Sequence, residues 1–293
     1  MTSLHLRLPA TSANLGPGFD ALGLAMSLYL DVEASAAPAF SIEATGRDAR
    51  LVGSLSHNLI VDTYRDLVAD GRPLRLRVHN EIPLGMGCGS SAAALLAGVM
   101  LASHFGELKL TPQAMLEEAC RREGHPDNVA ACFRGGLTVS SALKGEVTTA
   151  TLGTELPWRL LLAVPRDSLA TAEARALLPD HYARAEVVGN IQASTLLVAA
   201  FALERADLLQ AGTRDFVHQP FRSRACPLLA ALLPLAGHAG IYSVTLSGAG
   251  PSVLLICDSH VGLEVMLDAV RGAASDPALE ILEARIAPGA VLS

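Results

Sequence analysis

Apolar and polar residues alternate at the start of the chain: Leu4, Leu6 and Leu8 share one face, His5 and Arg7 the other. That period predicts a half-buried strand. The next segment, PATSANLGPGFD from Pro9 to Asp20, is rich in Pro, Gly, Ser and Asn and is expected to continue neither a strand nor a helix. Alternation resumes over residues 25–34. Residues 58–69 predict a helix whose apolar face carries Leu59, Thr63, Leu67 and Val68, and residues 74–80 predict another strand. A Gly-rich turn at 83–91 then runs into a long apolar helix. Thr111-Pro112 marks the start of the next helix, with Thr as cap and Pro in the first turn. It ends near Glu123, at Gly124-His125-Pro126-Asp127-Asn128, and Gly135-Gly136 leads into a strand at 137–142.

A polar stretch near 146–157 precedes an apolar strand at 160–164, and a domain boundary is expected there, dividing the chain into 1–155 and 156–293. Beyond it the pattern predicts helices at 171–178, 187–209, 227–235 and 261–270. Strands are expected at 241–246 and 252–257, joined by the turn 247–251. Intermixed strands and helices predict α+β or α/β. No repeat of fixed period is visible.

Composition narrows the function classes. Hydrophobic residues make up 51% of the 293 and charged residues 17%, enough apolar material for a sizeable core. The net charge of -7 and the absence of a Lys/Arg tract weigh against duplex nucleic acid or an acidic membrane as partner. Five cysteines, odd in number and without a Cys-x-x-Cys pair, argue against a disulfide framework or a zinc ribbon. No signal peptide is expected at the start, and the longest apolar stretch, 92–102, is too short to span a bilayer. These features predict a soluble cytoplasmic protein.

The chemistry concentrates in four segments. Pro83-Leu84-Gly85-Met86-Gly87-Cys88-Gly89-Ser90-Ser91 lacks the lysine of a Walker A loop and the spacing of a dinucleotide fingerprint. It reads either as a tight turn with Ser90 or Ser91 as a helix cap, or as a phosphate site. In the second case glycines let the ligand approach the main chain and the free amides of the helix start attract the anion. A second hydroxyl is then free for Mg²⁺, which takes oxygen donors. PATSANLGPGFD carries Asn14 and Asp20, a substrate pair or ordinary turn residues. Glu123-Gly124-His125-Pro126-Asp127-Asn128 crowds polar groups at a helix end, and Leu246-Ser247-Gly248-Ala249-Gly250-Pro251-Ser252 is a second Gly-rich turn. Arg175, Arg222 and Arg224 are isolated basic residues, which are commonly solvated.

Together PATSANLGPGFDALGLA, PLGMGCGSSAAALLAG, EGHPDNVA and LSGAGPS resemble, in order, the motifs of the homoserine kinases of the GHMP kinase superfamily. The resemblance spans Pro9 to Ser252. It implies a two-domain α+β fold with a phosphate-loop domain first and a ferredoxin-like domain second. It also implies transfer of the γ-phosphoryl group of ATP, with Mg²⁺, to the side-chain hydroxyl of L-homoserine on the route to threonine. A homodimer is left open.

Carried over onto matching positions, Pro83, Leu84, Gly85, Met86, Gly87, Cys88, Gly89, Ser90 and Ser91 would hold the nucleotide phosphates, and Asn58 would approach the adenine. Asn14, Asp20 and His125 would line the homoserine site, joined by Thr171, Arg175 and Arg222, the last for the carboxylate. Ser91 and Glu123 would hold Mg²⁺. Glu117, eight residues before His125, is the other position used in the family, but the EGHPDN string favours Glu123. Asp20 would be the base or an ammonium partner, and the family is thought to need no dedicated base. The departures, Cys88 for a common Leu and Ala131-Cys132 where a Pro is common, remove no polar group. Two alternatives remain at this stage: a kinase of the same superfamily acting on another small alcohol, and a non-catalytic metabolite or nucleotide sensor. PATSANLGPGFD and Arg222 weigh against the first, and intact Asp20, Ser91 and Glu123 against the second.

Overall fold

Leu4, Leu6 and Leu8 are buried on strand β1 (Ser3–Ala13), as their alternation predicts. The computed structural model describes residues 3–68, 71–168 and 171–293. After β1 the chain forms β2 (Leu22–Ala36), β3 (Ser41–Gly46), α1 (Ala49–Val52), α2 (Leu59–Leu67), β4 (Leu74–Asn80), α3 (Ser90–Phe105), α4 (Pro112–Glu123), α5 (Asp127–Arg134), β5 (Leu137–Leu143) and β6 (Glu146–Leu152). Then follow β7 (Arg159–Val164), α6 (Thr171–Ala176), α7 (Arg184–Ala202), α8 (Leu209–Gly212), α9 (Gln219–Arg222), α10 (Pro227–Leu232), β8 (Ile241–Leu246), β9 (Val253–Cys257), α11 (Leu263–Ala274), β10 (Glu280–Arg285) and β11 (Val291–Leu292).

The first sheet runs β11-β1-β2-β4-β3, with β5 also on β2 and β6 on β5. Helix α3 is buried from Ala92 to Ala102 apart from the half-buried Ala94, which explains why its sequence has almost no polar face. The second sheet runs β10-β7-β9-β8 and is antiparallel throughout. Numbered within itself its order is 4-1-3-2, the split βαβ arrangement of a ferredoxin-like unit. Both of its faces are covered. Leu161 and Ala163 join a core with Leu229, Leu232 and Met266, while Leu160 and Leu162 join the core of the first sheet together with Trp158 and Phe201. A strand buried on both sides needs apolar residues at every position, hence the unbroken Leu160-Leu161-Leu162-Ala163-Val164 run.

Several expectations change. β1 continues through Pro9 to Ala13, because a register shift between Pro9 and Ala10 absorbs the proline, which has no amide hydrogen to give the ladder. The buried face of α2 is Ile60, Val61, Thr63 and Tyr64, and Leu59 is exposed in its first turn. The polar stretch at 146–157 contains β6, an edge strand paired, among the described residues, only with β5. The single helix expected at 187–209 begins at Arg184 and stops after Ala202, where Glu204 turns left-handed at φ 56°. By length and composition alone α7 is also long and apolar enough to cross a membrane, although Arg184, Glu186, Asn190 and Gln192 interrupt its apolar run. Its Ala193, Leu197, Ala200 and Phe201 are buried. The sequence pattern predicts neither strands β3, β10 and β11 nor helices α1, α5 and α9.

Three segments far apart in sequence meet where the sheets approach each other. The Gly248 amide donates to Ala13 O, the Thr11 amide to Cys88 O, and Ser247 Oγ to Gly87 O at 2.8 Å. A Cβ at Gly87 would lie 2.2 Å from Ser247 O and 2.8 Å from Gly250 O, whereas one at Gly85 would meet only Ser168 Cβ, at 3.8 Å. Both glycines have positive φ, 75° and 70°, so alanine costs each about 1–2 kcal/mol of backbone strain. Gly87→Ala is expected to lower the thermal midpoint further than Gly85→Ala, because only Gly87 adds a main-chain collision. Calorimetric scans of the two variants check this, and equal midpoints contradict it.

Candidate active site

Gly89, left-handed at φ 69°, stands at the cap position just before helix α3, and no side chain caps the helix. Neither Ser90 nor Ser91 is a cap, so the first-turn amides stay open toward the cleft, with the partial positive charge of a helix start. Ser91 Oγ donates instead to Glu123 Oε2 at 3.0 Å. Glu123 ends α4, where Gly124 at φ 91° turns the chain. Burial raises the Glu123 pKa, against the lowering effects of His125 and the Ser91 hydrogen bond. Glu117, six residues earlier on the same helix, accepts from Gln113 at 2.7 Å and lines a different groove.

One cleft contains Asn14, Asp20, Ser91, Glu123, His125, Arg175 and Arg222 together with Gly85, Gly87, Cys88, Gly89 and Ser90. A second cleft, lined by Leu51, His57, Asn58, Ile60, Ile82 and Leu84, shares Gly85, Ser90 and Ser91 with the first. The Gly-rich loop is therefore the wall between a polar chamber and a more apolar one. Pro83 and Met86 line neither. The Cys88 thiol faces inward, and burial pushes its pKa to about 12, so only its main chain can serve a ligand. Asn58 is fully engaged: its Oδ1 accepts from the Ile60 and Val61 amides and its Nδ2 donates to Val52 O and Ser54 O. It shapes the apolar chamber by holding the 52–58 segment. Thr171 opens α6, but its side chain lies outside the described residues.

In the polar chamber, Arg175 binds Asp20 through both nitrogens, at 2.9 and 2.8 Å. His125 Nδ1 lies 2.6 Å from Asp127 Oδ1. Burial acts to lower the His125 pKa, but the Asp127 contact and the charges of Glu123 and Asp20 outweigh it, and the net shift is upward. Arg222 is 1% exposed. Its Nε donates to Ala174 O and its Nη1 faces Gly248 O, which leaves Nη2 without a partner among the described residues, at the cleft wall. Asn14 donates to Gly248 O at 2.9 Å and accepts from the Asp20 amide, so it fixes the loop that carries Asp20. Sequence reasoning gave no role to Asp127, Asn128 or Phe19, which also line the chamber. Asp127 and Asn128 sat inside the quoted EGHPDN string, and their signal was the unrecognised helix α5 that turns them inward. Phe19 sat inside the quoted PATSANLGPGFD string, where an apolar ring gave no signal of a ligand role.

The chain matches the family models "GHMP kinases N terminal domain" over residues 58–136 and "GHMP kinases C terminal" over residues 197–276. A homoserine kinase of Solibacter usitatus is 45% identical over 256 residues, covering 86% of this chain and 84% of that protein. A homoserine kinase of Carboxydothermus hydrogenoformans is 38% identical over 254 residues, covering 85% and 83%. The crystal structure of homoserine kinase from Cytophaga hutchinsonii shares the fold with a TM-score of 0.84 at 23% identity, over 100% of this chain and 98% of that one. With both halves matched and close relatives aligned along most of their length, the chain belongs to the homoserine kinases of the GHMP kinase superfamily.

Proposed function

We propose that this protein transfers the γ-phosphoryl group of ATP to the side-chain hydroxyl of L-homoserine, giving O-phospho-L-homoserine. The observation that carries the reading is the polar chamber, with an uncapped helix start at one end and paired charges suited to an amino acid at the other. The nucleotide base occupies the apolar chamber beside Asn58 and Leu84, and the phosphates lie along Gly85–Ser91 against the open amides. The zwitterionic end of homoserine matches the charges already present. Its carboxylate goes to Arg222 Nη2, helped by Arg175, and its ammonium to Asp20 with His125 and Asp127 alongside. A substrate with both charges can exchange with the Asp20–Arg175 pair without stranding either partner, which an uncharged alcohol cannot do.

Ser91 Oγ and Glu123, within hydrogen-bond distance beside the open amides, offer the hard oxygen donors that Mg²⁺ takes. When bound there, the ion would offset charge on the phosphate oxygens. Phosphoryl transfer asks the protein chiefly for alignment and charge stabilisation. Asp20, with both oxygens held by Arg175, suits ion pairing with substrate better than proton removal. The division into 1–155 and 156–293 is supported by the change of sheet between β6 and β7, although β11 returns to the first sheet. Five unpaired, buried cysteines suit a reducing, cytoplasmic setting.

Three measurements test this reading. Coupled ADP release is expected with homoserine and absent with mevalonate or galactose; turnover of either in place of homoserine overturns the substrate assignment. Glu123→Gln is expected to raise the Mg²⁺ concentration needed for half-maximal rate, while Glu117→Gln leaves it unchanged. A magnesium titration giving the opposite pattern moves the metal site to Glu117. Arg222→Lys keeps the charge but loses the planar fork. It is expected to raise the homoserine KM about tenfold or more and to change the ATP KM by less than about twofold. Steady-state kinetics varying each substrate in turn would expose equal damage to both, which contradicts the carboxylate role.

A further inference from the structure

His218 is fully buried, stands outside the cleft lining and touches both halves of the amino-acid site. Its Nδ1 lies 3.2 Å from Arg222 Nη1. Its Nε2 lies 2.8 Å from Gly16 O and 3.2 Å from Asp215 Oδ2. Its ring packs on Phe19, with centroids 5.5 Å apart. Gly16 and Phe19 belong to the loop that carries Asn14 and Asp20, while Arg222 comes from α9, about 200 residues later in the chain.

The chemistry of these contacts fixes the protonation of the ring. A guanidinium has only donors, so Nδ1 must be the acceptor and Nε2 must carry the hydrogen, which it gives to the Gly16 carbonyl. A proton on Nδ1 would set N–H against N–H. Burial and the Arg222 charge both disfavour the imidazolium, against the opposing pull of Asp215 and of the more remote Asp20, and the net shift of its pKa is downward. The Asp215 side chain is itself buried and accepts from the Val217, His218 and Gln219 amides, which anchors the turn that presents the imidazole. The loop has no slack on this side, since a Cβ at Gly16 would lie 2.4 Å from Thr213 O.

We infer that His218 is a positioning residue, a neutral, Nε2-protonated spacer that sets the distance between the arginine receiving the substrate carboxylate and the loop receiving its ammonium. This rests on the amino-acid reading of the chamber. The residue touches no substrate in this arrangement. It acts by orienting the Arg222 fork and by holding the Gly16 carbonyl, so its loss is felt in substrate binding at one end of the cleft only. A general packing role would instead disturb both chambers together.

The test combines kinetics with the native protein's own spectrum. His218→Leu fills the space but makes neither hydrogen bond, and it is expected to raise the homoserine KM about tenfold while the ATP KM changes by less than about twofold. His218→Asn restores an acceptor toward Arg222 and is expected to recover most of that loss. In ¹⁵N-histidine-labelled wild-type protein, His218 is expected to show an unprotonated Nδ1 and a protonated Nε2. Equal increases in both KM values, an Asn variant no better than Leu, or a protonated Nδ1 would each overturn the assignment. If His218→Leu does not fold, the Asn variant and the wild-type spectrum decide it. Failure of the wild-type protein to phosphorylate homoserine would instead sink the functional reading, a result distinct from any of these.

Discussion

Three stretches of chain lie against one another at the floor of the cleft, around residues 11–16, 87–89 and 247–250, joined by main-chain hydrogen bonds from the Gly248 amide to Ala13 O and from the Thr11 amide to Cys88 O, and by the Ser247 hydroxyl donating to Gly87 O. The site depends on this contact. It joins the phosphate loop, which precedes α3, to the turn between β8 and β9 and to the loop bearing Asp20, so that groups from both sheets face a single space. The approach leaves no room for side chains, as a Cβ at Gly89 would meet Thr11 Oγ1 and one at Gly87 would meet the 247–250 main chain. The glycines of PLGMGCGSS thus have two separate duties. Gly87 and Gly89 permit the loop to dock, while Gly85 stays open at the junction of the two chambers.

Charge is arranged around that floor by burial. Desolvation makes an unpaired buried ion costly, and the chamber meets this by pairing: Arg175 with Asp20, His125 with Asp127, and Arg222 with backbone carbonyls and an imidazole. The pairing is incomplete at one point. Among the described residues Arg222 has no partner for one nitrogen, Nη2, and burial together with the nearby Arg175 charge lowers its hold on its proton. An incoming carboxylate relieves this electrostatic cost, and the same logic favours a charged substrate over a neutral one. On the nucleotide side the open amides of α3 are unsatisfied in the same sense, and a phosphate answers them.

The second sheet supports both ends of the site. β7 and β9 feed side chains into both cores, so the sheet cannot shift without disturbing the packing of α7 on one face or of α10 and α11 on the other. Arg47 and Glu280 tie the segment just before α1 to β10 with a bidentate ion pair, and β11 closes the chain onto β1. With 29% of the Arg47 side chain and 42% of the Glu280 side chain exposed, the ion pair adds little to stability, and the shared apolar core is the stronger link.

Local pattern in the sequence determined much of this protein. Alternation placed β1, β2 and β4, Thr111-Pro112 marked the start of α4, and the resemblance of PATSANLGPGFD, PLGMGCGSS, EGHPDN and LSGAGPS to homoserine kinase motifs pointed to the family and gathered Ser91, Glu123 and His125 as candidates. These features are local: a strand period, a cap or a glycine at positive φ is written in neighbouring residues. Other features were settled by residues distant in the chain and could be read only from the tertiary structure. β6 is a strand because β5 pairs with it, and Pro9 lies within a strand because β2 accommodates a register shift. The interior of α2 is decided by what α3 presents to it. Asn58 is consumed by its own helix cap and loop, although its position suggested a ligand contact. His218 had no sequence signal at all, because its partners, Gly16 and Arg222, come together only when the two sheets dock.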